Sequence, residues 1–115
     1  MSCKRDGIIA RVFTVKVKNK VIKFPVYLSA GQEYVASSIA QLMEYKKIKP
    51  MLFGQHRGHS IYLSFGGNVD KLINELLGRK SGCTYGMGSS LGVHSKEIKM
   101  FGHDGFMGSN ACIGV

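Results

Sequence analysis

The sequence is poor in cysteine, in acidic residues and in long apolar runs, and each shortage excludes a class of protein. Its three cysteines, Cys3, Cys83 and Cys112, are far apart and form no C-x-x-C pair, so neither a disulfide framework nor a zinc knuckle is indicated. No apolar run approaches the roughly 20 residues that a membrane span needs. Residues 1–20 also lack the apolar core of a secretory signal. These absences predict a cytoplasmic protein with no membrane segment.

Acidic residues number only seven against 16 lysines and arginines, which gives a net charge of +9. The excess is N-terminal, because residues 1–49 hold ten basic and three acidic side chains, whereas residues 50–115 hold six and four. Such a balance favours polyanions, acidic partners or anionic cofactors without choosing among them. The length of 115 residues, of which 44% are hydrophobic, allows one domain with its own core.

Residues 8–27 alternate apolar and polar side chains with a period near two. This pattern predicts strands, with Asn19-Lys20 as the turn of a hairpin, so residues 1–28 are interpreted as a basic N-terminal segment. Its lysines would line one strand face, either as a ribbon for nucleic acid or membranes, or as a solvated face that protects a sheet edge. These lysines are Lys16, Lys18, Lys20 and Lys23.

Two amphipathic helices follow. Ser29 and Gln32 form a capping-box pattern that predicts a helix over residues 31–45, and Asn68 caps a second helix that Gly78 terminates. We expect the apolar faces of both helices to lie in the core. These faces are Val35, Ile39, Leu42 and Met43 in the first helix, and Val69, Leu72, Ile73, Leu76 and Leu77 in the second.

Between the helices lies a six-residue block, Gly54-Gln55-His56-Arg57-Gly58-His59. It follows the apolar run Met51-Leu52-Phe53, which is typical of a buried strand that runs into a loop. Arg57 offers a planar fork for phosphate or carboxylate, and histidines near it can donate to an anion or move a proton. The block predicts an anion site, although the same residues also suit a loop with two solvated histidines.

Glycines recur from Gly78 onward, and thirteen of the fifteen lie at or after Gly54. Their spacing has no repeat period, and Pro and Ser are too few for a linker, so ordered loops are predicted. His94 and His103 lie in this region with Cys83. Their spacing matches no common metal site, and no metal ligand is predicted in this chain.

Four blocks together resemble, in order and spacing, the alpha subunit of thiamine-diphosphate-dependent 2-oxo acid dehydrogenases. The resemblance covers residues 23–115. It implies an α/β fold in which residues 1–115 are a single, partial domain, the N-terminal portion of a thiamine-diphosphate-binding three-layer fold with helices, few strands and long glycine-rich loops. The blocks are Gly31-Gln32-Glu33, His56-Arg57-Gly58-His59, 82–90 and 108–114.

The resemblance also implies roles for individual residues. Arg57 would bind the diphosphate of the cofactor with help from His56, which stands where relatives commonly carry tyrosine. His59 would lie beside the diphosphate and the reacting centre and organise proton transfer. Tyr27 stands where relatives carry a substrate-contacting histidine or tyrosine, so the substrate class stays open.

Two further blocks complete the implied site. His94 resembles a histidine of the branched-chain type of glycine-rich loop, as acid, base or loop anchor. Asn110 lies in a turn whose backbone groups, near Ala111 and Ile113, would hold the aminopyrimidine ring. The Gly-Asp-Gly motif that holds magnesium in such proteins does not follow Val115, so the magnesium ligands are expected outside this chain.

The implied reaction is decarboxylation of a 2-oxo acid, with the remaining fragment passed to a lipoyl group. Expected partners are a beta-type dehydrogenase subunit or the C-terminal remainder of the alpha subunit, and a lipoyl acyltransferase component. The chain would then be a truncated or split subunit that is inactive alone. Two alternatives remain: a non-catalytic remnant that pairs with a beta-type subunit, and a small basic nucleic-acid binder, which the lack of interleaved aromatic residues disfavours.

Overall fold

The computed structural model describes residues 25–104 and 108–115. The predicted hairpin over residues 8–22 lies outside these ranges, and residues 25–28 of the N-terminal segment contain no strand. No helix in the described part of the chain combines the length and apolar character that a membrane crossing requires. The elements are α1 (Glu33–Tyr45), β1 (Leu52–Gln55), α2 (His59–Ser64), α3 (Val69–Leu76), β2 (Met100–Asp104) and α4 (Ser109–Gly114).

The strand expected over Met51-Leu52-Phe53 is observed as β1, which begins at Leu52 and continues to Gln55, and it pairs in parallel with β2. Phe53 lies opposite Gly102 and Gln55 opposite Asp104, with a register shift between Leu52 and Phe53. Parallel strands need a long crossover, and here it contains α2, α3 and the 77–99 connection, which has no helix or paired strand beyond a single bridge at Ser95. The described residues therefore form a small α/β arrangement.

Helix α3 supplies much of the core, as its apolar pattern predicts. Asn68 caps it by accepting a 3.0 Å hydrogen bond from the backbone N–H of Lys71, and Gly78 ends it with a left-handed φ of 70°. The cap and the terminating glycine are confirmed. The buried face is confirmed at Leu72 and Leu76, while Val69, Ile73 and Leu77 are half-buried. The buried cluster consists of Leu52, Tyr62, Leu63, Leu72, Leu76, Val93 and Met100.

Helix α1 begins differently from the prediction. Its N-cap is Gln32, which makes no side-chain capping bond, so the capping box at Ser29 is wrong. The Ser29 hydroxyl is buried elsewhere: it donates to the backbone carbonyl of Arg57 at 2.7 Å and accepts from the backbone N–H of Ser60 at 3.1 Å. Two partners about 30 residues away outcompete the local cap, and Ser29 links the segment before α1 to α2.

The apolar face of α1 is not in the core. Val35, Ile39 and Leu42 are 66%, 46% and 52% exposed, and Ala36 is the helix residue that is buried. The expectation of a buried face is wrong here: α1 packs on α2, yet Val35, Ile39 and Leu42 stay exposed. Periodicity shows that a face is apolar, but it does not show what covers the face.

The carboxylate of Glu75, on the buried side of α3, organises the chain that follows. Its Oε2 accepts backbone N–H bonds from Thr84 at 2.7 Å and Gly86 at 2.9 Å. Its Oε1 accepts from Gly88 at 2.8 Å and Ser89 at 3.1 Å. The Glu75 side chain is fully buried, so its charge is compensated by four backbone donors. We call these four donors the Glu75 cradle.

The cradle needs unusual backbone angles. Tyr85, Gly86 and Ser89 all have positive φ, at 58°, 76° and 51°, and such angles cost about 1–3 kcal/mol at a non-glycine residue. A Cβ at Gly86 would also come within 2.6 Å of the carbonyl carbon of Gly78. Position 86 therefore requires glycine for its φ and for the space around it.

We expect Glu75→Gln to destabilise the chain by about 3 kcal/mol, because the amide nitrogen would face two backbone N–H groups that now donate to a carboxylate oxygen. The measurement is urea unfolding of the 115-residue chain, followed by far-UV circular dichroism. Glu97→Gln is the matched control, since Glu97 is exposed and, among the described residues, its carboxylate pairs with the surface Lys71. Equal midpoints for the two variants would contradict a structural role for the cradle.

Burial of Tyr62 links the stability of the fold to alkaline pH. Tyr62 is fully buried, and burial, with the nearby Cys83 and acidic residues, raises its pKa from 10.0 to about 12. Its hydroxyl donates to the carbonyl of Asn68 at 3.2 Å. Because the phenol ionises more readily in the unfolded chain, its contribution to stability is complete below pH 10 and is lost as the pH rises to about 12.

We therefore expect the free energy of unfolding to fall between pH 10 and about 12 by up to about 2–3 kcal/mol more in the wild type than in Tyr62→Phe. Urea midpoints measured across this range for both proteins test the expectation. Parallel pH profiles would show that ionisation of Tyr62 is not linked to unfolding.

Candidate functional site

The block His56-Arg57-Gly58-His59, which we call the His-Arg block, lies where the sequence places it, at the junction between β1 and α2. β1 ends at Gln55, and α2 begins at His59. The two elements hold opposite ends of the turn 56–58, so the side chains of His56 and Arg57 emerge from a segment fixed on both sides. The turn thus joins a sheet edge to a buried helix.

Arg57 projects toward solvent. Its side chain is exposed, and one guanidinium nitrogen donates to the carbonyl of Leu28 at 3.3 Å. The Arg57 carbonyl accepts from the buried Ser29 hydroxyl. Backbone and side chain of Arg57 are therefore both tied to the segment before α1, while the guanidinium keeps donors for an anion.

His59 is the opposite case, because it is fully buried. Its Nε2 lies 3.1 Å from the hydroxyl oxygen of Ser90. Ser90, also fully buried, follows the Glu75 cradle directly. The structure therefore brings the histidine of the second sequence block against the serine that ends the third.

Tyr27 packs against the same block. Its ring meets the ring of His56 edge to face, with the ring centres 5.3 Å apart, and its backbone N–H donates to the Ser90 hydroxyl at 2.8 Å. Nδ1 of His56 is buried and has no hydrogen-bond partner within the described residues. The sequence-predicted residues Tyr27, His56, Arg57 and His59 thus lie around one turn.

His94 sits four residues beyond Ser90 in the same connection. Its Nδ1 lies 2.7 Å from the carbonyl of Gly92, so its ring is bonded to its own loop. The adjacent Val93 is buried in the core, which anchors the backbone at this point. The structure places His94 on the loop that reaches His59, and its own bond is that of a loop anchor.

The last sequence block forms helix α4 and not the expected turn. Gly108 enters it with a φ of 85°, and the N–H of Ala111 donates to the Gly108 carbonyl at 3.1 Å, which closes the chain into a helix. The backbone of Asn110 lies in the first half of α4, whereas the Ile113 carbonyl lies in the last turn, where carbonyls have no partner within the helix.

Helix α4 packs on both strands. A Cβ at Gly114 would lie 3.4 Å from the ring of Phe53, so the helix rests on the strand that leads into the His-Arg block. Helix α4, which is the fourth block, therefore lies beside the strand that leads into the His-Arg block.

Sequence reasoning missed the role of three residues that connect these pieces, namely Ser29, Glu75 and Ser90. The sequence does offer a sign of Glu75, because this acidic residue lies next to Leu76 on the apolar face of a helix. The glycine-rich segment that follows can supply backbone N–H donors to its carboxylate. Ser29 and Ser90 had no such sign, because their partners lie 28 or more residues away in the sequence.

The arrangement suits anion binding beside a fixed imidazole. An exposed guanidinium can bind phosphate or carboxylate, and a buried hydrogen-bonded histidine can hold or move a proton at a defined atom. Within the described ranges, no group of three or more His, Cys, Asp or Glu side chains is arranged to hold a metal ion.

Comparison with known proteins bears on this site. The family model "Dehydrogenase E1 component" matches residues 7–115. The alpha-1 subunit of the mitochondrial pyruvate dehydrogenase E1 component of Arabidopsis thaliana is 32% identical over 97 residues, which are 84% of this chain and 24% of that protein. The corresponding alpha subunit of Chaetomium thermophilum is 34% identical over 98 residues, 85% of this chain and 23% of that protein.

A bacterial relative, the pyruvate dehydrogenase E1 component subunit alpha of Rickettsia prowazekii, is 31% identical over 89 residues, 77% of this chain and 26% of that protein. The chain thus spans about a quarter of the length of these relatives. No solved structure gives a significant match. Since the family model covers nearly all of its residues, the chain belongs to the dehydrogenase E1 component family, and its resemblance to the alpha subunits is confirmed.

Proposed function

We propose that this chain is the part of a thiamine-diphosphate-dependent 2-oxo acid dehydrogenase alpha subunit that contributes diphosphate and aminopyrimidine contacts. The observation that carries the proposal is the turn 56–58, which carries the exposed guanidinium of Arg57 and is followed directly by the buried His59. The family supports thiamine diphosphate as the cofactor. The implied larger architecture is the edge of a three-layer fold.

The residues present fit the diphosphate. Arg57 is exposed and uses one nitrogen on Leu28, which leaves further N–H donors of its planar fork for phosphate oxygens. His56 adds a buried Nδ1 that has no partner within the described residues, so a ligand in contact with it would satisfy an otherwise orphaned atom. Arg57 and His56 would hold the diphosphate.

Thiamine diphosphate, when bound, supplies the electron sink for decarboxylation of a 2-oxo acid. The residues of this chain would orient groups and hold protons around it. His59, fixed by Ser90, would hold a proton close to the diphosphate, and His94 would serve on the same loop. Tyr27 would offer its hydroxyl to the substrate carboxylate.

Helix α4 would supply the aminopyrimidine contacts through the backbone near Asn110, Ala111 and Ile113. Its packing on β1 supports this role, because β1 also positions the His-Arg turn. Magnesium ligands would come from outside this chain.

The proposed partners are a beta-type dehydrogenase subunit or the remaining part of the alpha-subunit fold, and a lipoyl acyltransferase component. The proposed location is the cytoplasm. The exposed apolar face of α1 is compatible with burial in a larger assembly.

The cofactor role predicts weak, saturable binding of thiamine diphosphate with magnesium to the purified chain. Arg57→Ala should weaken binding about tenfold, equivalent to about 1.4 kcal/mol, at the low end for a charge-assisted contact because the guanidinium is exposed. Isothermal titration calorimetry measures both affinities.

Arg79→Ala is the matched control, since Arg79 is also an exposed arginine but bonds to Asn74 at the end of α3. Its affinity should equal that of the wild type. Equal losses in both variants, or none in Arg57→Ala, would refute diphosphate binding at the turn.

The purified chain should not decarboxylate a 2-oxo acid by itself, because the magnesium ligands and the partner groups are expected elsewhere. The assay is release of carbon dioxide from pyruvate and from branched-chain 2-oxo acids, with thiamine diphosphate and magnesium present. Turnover that is lost in His59→Gln would show that the chain is catalytically complete and would overturn this expectation.

A further inference from the structure

The hydroxyl of Ser90 lies at a junction between three parts of the chain. Its oxygen is 2.8 Å from the backbone nitrogen of Tyr27, 3.1 Å from Nε2 of His59 and 3.5 Å from the carbonyl of Tyr27. Ser90 and His59 are both fully buried. A buried donor or acceptor without a partner is costly, so the choice of partner for the Ser90 hydrogen affects all three groups.

The single hydrogen of the Ser90 hydroxyl limits which of these hydrogen bonds can form together. A serine hydroxyl has one hydrogen to donate and two lone pairs, and the Tyr27 N–H occupies one lone pair. If Ser90 donates to Nε2, the ring of His59 carries no proton at that atom. If Nε2 donates, the hydrogen of Ser90 turns to the Tyr27 carbonyl. The second arrangement depends on the Tyr27 carbonyl at 3.5 Å, which is long for a hydrogen bond, so the first arrangement, in which Ser90 donates to an unprotonated Nε2, is favoured.

The position of Ser90 is itself fixed from the preceding residues. The backbone N–H groups of Gly88 and Ser89 both bond to one oxygen of Glu75, and Ser89 is held at a φ of 51°. The residue that follows Ser89 therefore has little freedom to move away from His59. The carboxylate on α3 thus sets where the Ser90 hydroxyl stands.

From these contacts we infer that Ser90 is the positioning residue for His59. It holds the imidazole in one orientation and one dominant tautomer, and it ties the histidine to the Tyr27 segment. The inference deepens the proposed function, on which it rests, since it names the group that decides where a proton resides on the site histidine.

The experiment is two-dimensional NMR of the full 115-residue chain labelled with ¹⁵N-histidine, in the absence of cofactor. His59→Gln identifies the ring signals of His59, which should show one dominant tautomer in the wild type. Ser90→Ala should change the ratio of the two tautomers about fivefold, the equivalent of one net hydrogen bond. Far-UV circular dichroism confirms folding.

Ser89→Ala is the matched control. Its hydroxyl is buried but has no hydrogen-bond partner within the described residues, and its backbone N–H to Glu75 survives the change. The His59 signals should therefore match the wild type. A folded Ser90→Ala chain with unchanged His59 signals, or the same change in both variants, would overturn the inference.

The wild-type spectrum provides a test that needs no Ser90 variant. An averaged His59 ring that exchanges freely between tautomers would overturn the inference even if Ser90→Ala did not fold. Because no cofactor is present, these results are independent of whether thiamine diphosphate binds. Failure of the proposed function and failure of the Ser90 role therefore give different results.

Discussion

One buried carboxylate determines how the middle of this chain is arranged. A charge removed from water costs several kcal/mol unless it is compensated, and Glu75 is compensated by four backbone N–H groups from a stretch of six residues. Four converging donors require left-handed backbone angles, which the chain adopts at Tyr85, Gly86 and Ser89. The charge thus selects the path of the backbone, and the glycine at position 86 makes that path sterically possible.

The consequence extends to the candidate site. Once the cradle is closed, Ser90 has a fixed place, and its hydroxyl contacts both Tyr27 and His59. Ser29 provides a second connection, because it bonds to Arg57 on one side and Ser60 on the other. Two buried serines therefore hold the His-Arg turn against segments that are distant in sequence. The dehydrogenase E1 family signature is spread along the chain, but the hydrogen bonds bring its blocks together.

The sequence predicts the features whose interacting residues are close in the chain, and it does not predict those whose partners are distant in the chain. The cap at Asn68 and the stop at Gly78 involve neighbours within one helix, so local patterns identified both. The predicted cap at Ser29 is not formed, because the Ser29 hydroxyl bonds to the backbone of Arg57 and Ser60 instead. Periodicity predicts a buried apolar face for α1, but periodicity reports composition and not contacts, and the face is exposed. The resemblance to a family grouped the site residues, yet it did not identify Glu75 or Ser90, which join them.

Arg57 and His59 differ in what their surroundings allow. His59 lies in a buried site where the local dielectric constant is low, so its hydrogen bond to Ser90 is strong and directional. Arg57 faces water, where the attraction between charges at contact distance is only about 1–4 kcal/mol before desolvation. Geometry at the site is therefore set within this chain, whereas tight binding of an anion requires further groups that exclude water from Arg57. In the proposed cofactor site, this chain would therefore establish the orientation of the groups, and groups that cover Arg57 would add the affinity.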